Sequence, residues 1–184
     1  EINGQTFDKV ILSCGAWLGQ TLEPLGFDVD VRPQKGQLRD YFFEGMDTGR
    51  LPVLMPEGEL DLIPFAGGKI SVGASHENDQ GFDLTVDETV LASLEEEAKT
   101  YFPDLSTAKS FSERVGTRAY TSDFSPFFGE VPELESVFVA SGLGSSGLTT
   151  GPLIGKNLVE LAMNRPGSLD SADYPVAQYV KKKD

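Results

Sequence analysis

The sequence predicts an α+β fold: a mixed, largely antiparallel sheet with helices, joined to part of an α/β domain. Three observations predict it. Near the start, "VILSCGAW" (10–17) is an apolar run that ends in glycine and leads into a helical stretch, as parallel α/β units do. Between residues 31 and 72, strand-like pieces follow one another at hairpin spacing, with Gly67-Gly68 as one turn. Near the end, "ASGLGSSGLTTGP" (140–152) again sets a strand, glycines and a helix in a row. Residues 1–30 and 112–167 are expected to form one domain, 31–111 a second, and 168–184 a C-terminal tail.

Taken in order, 10–14 is nearly continuous in apolar character, which predicts a strand buried on both faces. A short helix is expected over 16–25, closed by Gly26. Strands are expected over 37–43, 53–55, 59–64 and 69–73, with a further turn at Glu57-Gly58. Thr85 and Glu88 spell a capping box at the head of a helix over 85–102. Val90, Leu91, Leu94, Ala98, Tyr101 and Phe102 form its apolar stripe, Glu95-Glu96-Glu97 its solvated face, and Pro103 stops it. Strands are expected at 111–120 and 137–140. Pro152 suits the first turn of a last helix, with Ile154, Leu158 and Leu161 on one face. After Arg165-Pro166-Gly167 the chain is polar and is expected to lie loosely on the surface, with Lys181-Lys182-Lys183 as a frayed end.

Composition narrows the function. With 39% hydrophobic and 24% charged residues in 184, the chain has enough apolar material for a folded core. A net charge of −14 argues against a nucleic-acid partner, which needs a basic surface. No apolar stretch is long enough for a membrane span and no signal peptide is visible. The single cysteine, Cys14, fits a reducing, cytoplasmic setting, and with the single histidine, His76, cannot make a His/Cys zinc site. Cys14 reads as a small core residue.

Five stretches in order, "VILSCGAW", "PQKGQL", "ISVGASHENDQGFD", "GTRAYTSDFSPFFG" and "ASGLGSSGLTTGP", resemble the D-amino-acid oxidase-like flavoproteins over residues 7–165. That family includes glycine oxidases, sarcosine oxidases and D-amino-acid dehydrogenases. The family's N-terminal G-x-G-x-x-G after a first strand is absent here. The resemblance therefore implies the C-terminal part of an FAD-binding domain plus a substrate domain, with the N-terminal FAD-binding segment missing and the isolated piece inactive.

The resemblance also implies roles. Gly142, Leu143, Gly144, Ser145, Ser146, Gly147 and Leu148 would run along the flavin, where small residues let the backbone approach and N–H groups at a helix start donate to a flavin oxygen. Gly15 and Trp17 would be neighbours of FAD. Arg118 matches the position that clamps a substrate carboxylate, a task suited to a planar two-pronged guanidinium. Spacing alone favours a strand arginine paired with Asp123 or Glu113, and it is the resemblance that reverses this. Arg114 is a rival clamp on the same strand face, at a position where many relatives have an aromatic residue. Tyr120, Tyr41 and His76 are further pocket candidates, and Asp123 holds the turn into Ser125-Pro126. Gly116 stands where some relatives attach flavin to a cysteine, so FAD would be noncovalent. The implied activity is oxidation of a small amine or amino acid by hydride transfer to flavin. A noncatalytic binding domain on the same scaffold and a flavoprotein acting on a hydroxy acid remain open alternatives.

Overall fold

The computed structural model describes residues 4–183. In chain order its strands and α-helices are β1 (Val10–Leu12), α1 (Leu18–Leu22), β2 (Phe27–Val29), β3 (Arg32–Phe42), β4 (Asp61–Phe65), β5 (Lys69–Gly73), α2 (Glu88–Tyr101), β6 (Ser110–Tyr120), β7 (Phe127–Glu130), β8 (Val137–Ser141), α3 (Gly147–Ala162), α4 (Val176–Tyr179) and β9 (Val180–Lys182). The chain divides into two compact units, one made of Glu1–Pro33 with Arg118–Asp184, the other of Gln34–Thr117. The expected mixture of helices with largely antiparallel strands is present.

In the Gln34–Thr117 unit, β4, β5, β3 and β6 form a four-stranded sheet in that order. Alternation sorts its two faces. Tyr41, Leu62, Ile70 and Val72 join Leu94 and Ala98 of α2 in one apolar cluster, so this face lies under the helix. Gly67 and Gly68 turn β4 into β5 with left-handed φ values of 81° and 78°. The expected strand at 53–55 is reduced to a single bridge, Leu54 to Leu62.

The head of α2 differs from the predicted capping box. Asp87 is the N-cap, its carboxylate accepting from Thr89 N (2.9 Å) and Val90 N (3.3 Å). Thr85 sits outside the helix because Asp83 takes both its N–H and its hydroxyl, while Lys35 Nζ donates to its carbonyl. Glu88 cannot fold back to close a box, since it pairs with Arg39 Nη2 at 2.6 Å. Glu95 is also not part of the solvated face. It accepts from Tyr41 Oη (2.7 Å) and Arg39 Nη1 (3.2 Å), whereas Glu96 and Glu97 are exposed.

In the other unit, β1, β8 and β7 form a three-stranded sheet, with β1 parallel and β7 antiparallel to β8. Phe127 and Val139 face a cluster with Leu18, Leu22, Phe27, Val176, Tyr179 and Val180. Phe128 and Phe138 face Ile154, Leu158 and Ala162 of α3. Phe127 and Phe128 are fully buried, and burial of such a side chain stabilises by about 1.5–3 kcal/mol. Gly26 closes the Leu18–Leu25 helical stretch in the left-handed region, as expected. Cys14 packs on the first cluster.

Several expectations fail in this unit. β1 is three residues long and Ile11 is exposed, so it is not buried on both faces in the described residues. Strand β7 was not anticipated, because "FFGE" is too short to show a period. Helix α3 begins at Gly147, which puts Pro152 in the second turn rather than the first. The tail is not loose. Asn157, itself buried, accepts from Ser168 N (2.7 Å) and Leu169 N (2.8 Å) and so pins the chain beyond α3. Val176, Tyr179 and Val180 enter the core, and β9 pairs antiparallel with β2. Lys182 is in that strand, with Nζ 4.4 Å from the Phe27 ring centre and bonded to the Leu25 carbonyl.

Candidate cofactor and substrate site

β1 and β8 run side by side in the same direction, with Val10 opposite Val137 and Leu12 opposite Val139. Both leave the sheet at the same edge, so the turn at Gly15 and the loop from Gly142 emerge together. Ser141 Oγ donates to the Gly15 carbonyl at 3.0 Å and ties them. The carboxyl edge of adjacent parallel strands is where α/β sheets hold nucleotides, because loop amides and helix starts converge there. Trp17, one turn further on, is half-exposed.

The loop's glycines have separate reasons. Gly142 (φ 77°) and Gly144 (φ 53°) are left-handed. A Cβ on Gly142 would lie 2.8 Å from the Ser125 carbonyl, and one on Gly144 would lie 2.6 Å from Tyr120 Cζ. Tyr120 also accepts a hydrogen bond from Ser145 N (3.1 Å) and packs edge-on against Phe124. These two glycines thus answer to the protein's own packing. Gly147 does not. Its backbone is regular helix, and a Cβ there would make only an ordinary 3.5 Å contact with Leu143.

The letters from Gly142 to Gly147 spell G-x-G-x-x-G between a strand and a helix, a match the sequence reading passed over. It remains true that no such pattern follows the first strand. The geometry separates the two cases. In a dinucleotide turn the second glycine leaves room for pyrophosphate; here that room is filled by the Tyr120 ring.

Helix α3 starts without a side-chain cap. Ser146 is its N-cap but gives no bond to the helix, its hydroxyl donating to the Leu143 carbonyl at 3.0 Å. The first-turn N–H groups of a 16-residue helix, at the positive end of its dipole, are left without a capping side chain. Leu148 beside them is 98% exposed. A helix start without a capping side chain, an exposed apolar side chain and no crowding at Gly147 suit the flat, acceptor-bearing edge of a flavin.

Arg118 and Tyr120 are alternate residues at the end of β6 and leave one face of it. The two carboxylates that spacing offered as partners for Arg118 bond to other groups. Glu113 pairs with Arg39 Nη2 at 3.1 Å. Asp123 accepts from Ser125 N (3.1 Å), Thr121 Oγ1 (3.0 Å), Tyr179 Oη (2.9 Å) and Gln178 Nε2 (3.0 Å), so it does hold the turn before β7. The Ser125 amide, then the Tyr179 and Thr121 hydroxyls, hold its carboxyl below the usual value against partial desolvation.

In the Gln34–Thr117 unit, Tyr41 is buried against α2, which removes it as a pocket residue. Its hydroxyl pKa is raised by burial and then by Glu95. Arg114 makes a two-pronged bond to Asp40, with Nε and Nη2 each at 2.9 Å. Sequence reasoning missed Asp40 and its neighbour Ser71, and the only available signal was a charged residue in the middle of an otherwise regular strand. His76 is on the surface, its Nδ1 3.7 Å from Glu59 Oε1. Among the described residues no cluster of His, Cys, Asp and Glu could hold a metal ion, and no helix is long and apolar enough to cross a membrane.

A family model described as FAD dependent oxidoreductase matches residues 1–161. The chain belongs to the FAD-dependent oxidoreductase family. It is 38% identical over 171 residues to the uncharacterized oxidoreductase YurR of Bacillus subtilis, covering 92% of this chain and 46% of that protein. It is 31% identical over 177 residues to glycine oxidase of Pseudomonas aeruginosa, covering 96% and 47%. The crystal structure of iminodiacetate oxidase from a Chelativorans species superposes with a TM-score of 0.89 at 32% identity, covering 94% of this chain and 47% of that one. The chain thus spans about half the length of the family members it matches.

Proposed function

We propose that this chain is the substrate-side half of a flavoprotein that oxidises a small amine or amino acid of the glycine, sarcosine or D-amino-acid type. The observation that carries the proposal is the uncapped start of α3 beside the Gly15 turn, at the carboxyl edge of the parallel β1–β8 pair. Gly15, Trp17 and the segment from Gly142 to Leu148 would hold FAD, which supplies a two-electron acceptor when bound. Attachment would be noncovalent, because Gly116 offers no thiol.

Arg118 would clamp the substrate carboxylate with two parallel hydrogen bonds and so fix the α-carbon in one orientation. A neutral amine is enough for loss of hydride from that carbon, so no side chain is assigned as general base. The likeness to glycine oxidase and iminodiacetate oxidase supports an amine substrate over a hydroxy acid.

Two experiments test this reading. In the longer protein carrying this chain, the visible spectrum should show bound flavin, and anaerobic addition of glycine, sarcosine, iminodiacetate or a D-amino acid should bleach it. Arg118→Lys keeps the charge but loses the fork. A lost charge-assisted bond costs about 1.5–3 kcal/mol, or roughly ten- to hundredfold in kcat/KM. The loss should be largest for substrates bearing a carboxylate, and flavin content should not change. An equal loss for an acid and its decarboxylated amine would make Arg118 a structural residue.

A further inference from the structure

We infer that Tyr120 is a positioning residue, which sets where the Gly144–Ser146 turn and the start of α3 stand against flavin, rather than a residue of the substrate pocket. The inference rests on the flavoprotein reading above and adds to it what holds the loop in place.

Three contacts carry it, all within the unit that contains Arg118–Asp184. The Tyr120 hydroxyl accepts from Ser145 N at 3.1 Å. Its ring fills the place that a side chain at 144 would take, since a Cβ there would lie 2.6 Å from Cζ. Phe124 packs edge-on against the same ring, with centres 5.2 Å apart. Among the described residues, every other side-chain hydrogen bond to the turn comes from the turn or from α3 itself. Ser146 Oγ donates to the Leu143 carbonyl and Thr150 Oγ1 to the Ser146 carbonyl, each at 3.0 Å. The base of the loop is anchored separately. A Cβ on Gly142 would lie 2.8 Å from the Ser125 carbonyl oxygen and 2.9 Å from Thr121 Cγ2. Thr121 is buried, and its hydroxyl donates to that same carbonyl at 2.8 Å. Residues 121–126 thus fix where the loop begins, and Tyr120 fixes where it turns into the helix.

Glycine loses more freedom on ordering than any other residue. Donors that must be ordered when a ligand arrives bind it more weakly than donors already aimed. A loop that lets backbone approach a flavin therefore has to be bare and rigid at once, and its own side chains cannot make it so. A tyrosine on a regular strand supplies the rigidity from outside. The left-handed backbone at 144 would by itself admit asparagine or aspartate, but the ring excludes any side chain there. Filling space needs only the ring, whereas holding the Ser145 amide needs the hydroxyl as well. Arg118 is two residues earlier on the same face of β6, so one short stretch of strand carries both the proposed carboxylate clamp and the strut for the loop.

In the longer protein carrying this chain, Tyr120→Phe keeps the ring and removes the acceptor for Ser145 N. Oxidised flavin should bind about three- to tenfold more weakly, the worth of one hydrogen bond, read by equilibrium dialysis. Reduced flavin carries more negative charge and leans harder on a helix start. It should lose more affinity than the oxidised form, so the flavin midpoint potential should move negative. In the flavin-free protein, amide hydrogen exchange at Ser145 should quicken by about tenfold, with the amides of β7 and β8 unchanged. The double variant Tyr120→Ala with Gly144→Ala tests the packing. The loss of flavin affinity caused by Gly144→Ala should be about tenfold smaller once the ring is gone, as coupled neighbours require. Additive effects overturn the inference. So does a Tyr120→Phe protein with a lower unfolding midpoint but unchanged flavin affinity and potential, which would make Tyr120 a structural residue. A wild-type protein that holds no flavin sinks the flavoprotein reading instead, and exchange at Ser145 still decides whether Tyr120 fixes the turn.

Discussion

Helices α2 and α3 are of similar length, but they begin in opposite ways. Asp87 satisfies two first-turn amides of α2, and Glu88 and Glu95 tie the helix to Arg39 on the sheet beneath. At α3 the N-cap serine turns its hydroxyl to a loop carbonyl, and glycines replace side chains on the approach. A helix that serves only the fold closes its own end, since unpaired amides are costly when buried. A helix left open, beside a turn on a neighbouring parallel strand, has donors to give to a ligand. The contrast also separates glycines by purpose: Gly144 makes room for Tyr120, whereas among the described residues nothing crowds a Cβ at 147.

The largest effect should come from Gly144→Val. The side chain would enter the Tyr120 ring from a left-handed backbone, and overpacking with that strain costs about 3 kcal/mol. Urea unfolding of the longer protein should show a lower midpoint together with loss of flavin. Wild-type stability would mean that Tyr120 does not shape the loop.

Gly147→Val sharpens the contrast, because the fold tolerates it. Stability should change by less than about 1 kcal/mol, because valine is no poorer a helix former than glycine, while flavin affinity falls by about 1–3 kcal/mol through steric crowding. A variant that stays as yellow as wild type after dialysis would place the loop away from the flavin.

Asp87→Ala should do the reverse. Loss of the cap costs about 1 kcal/mol of stability, read as a shift in unfolding midpoint, with flavin content unchanged. If flavin is lost as well, the division of roles between the two helices fails.

The smallest effect is a pH slope. Asp40 and Glu95 are both held below their ordinary values of 3.8 and 4.5. For Glu95, burial acts upward but is outweighed by bonds from Lys99, Tyr41 and Arg39. Below about pH 4.5 the unfolded chain therefore binds more protons than the native one. Their stabilisation is complete above that pH and fades as pH falls toward the native values. Chemical unfolding at pH 6 and pH 4 should show the decline, and Glu95→Gln should flatten it. An unchanged slope in that variant would mean that Glu95 does not tether α2.

The sequence by itself determined the elements whose cause is local. The apolar stripe from Val90 to Ala98 makes α2, the Gly67-Gly68 turn joins two alternating strands, and Gly26 ends the first helical stretch. It also carried the five motifs that mark the family, and pointed to the glycine loop as a place where backbone must be bare. Tertiary structure decided everything that depends on a distant partner. Thr85 lost its capping role to Asp87 because Lys35, 50 residues earlier, and Asp83 hold it in a turn. The polar-looking tail became part of the core because Val176, Tyr179 and Val180 find Phe27 and Phe127. Arg114 acquired its fixed geometry from Asp40, 74 positions away, and Gly144 acquired its reason from Tyr120. Periodicity and turn chemistry act over a few residues and can be read along the chain, whereas the partner of a charge or the neighbour of a glycine is set by which strands the fold brings side by side.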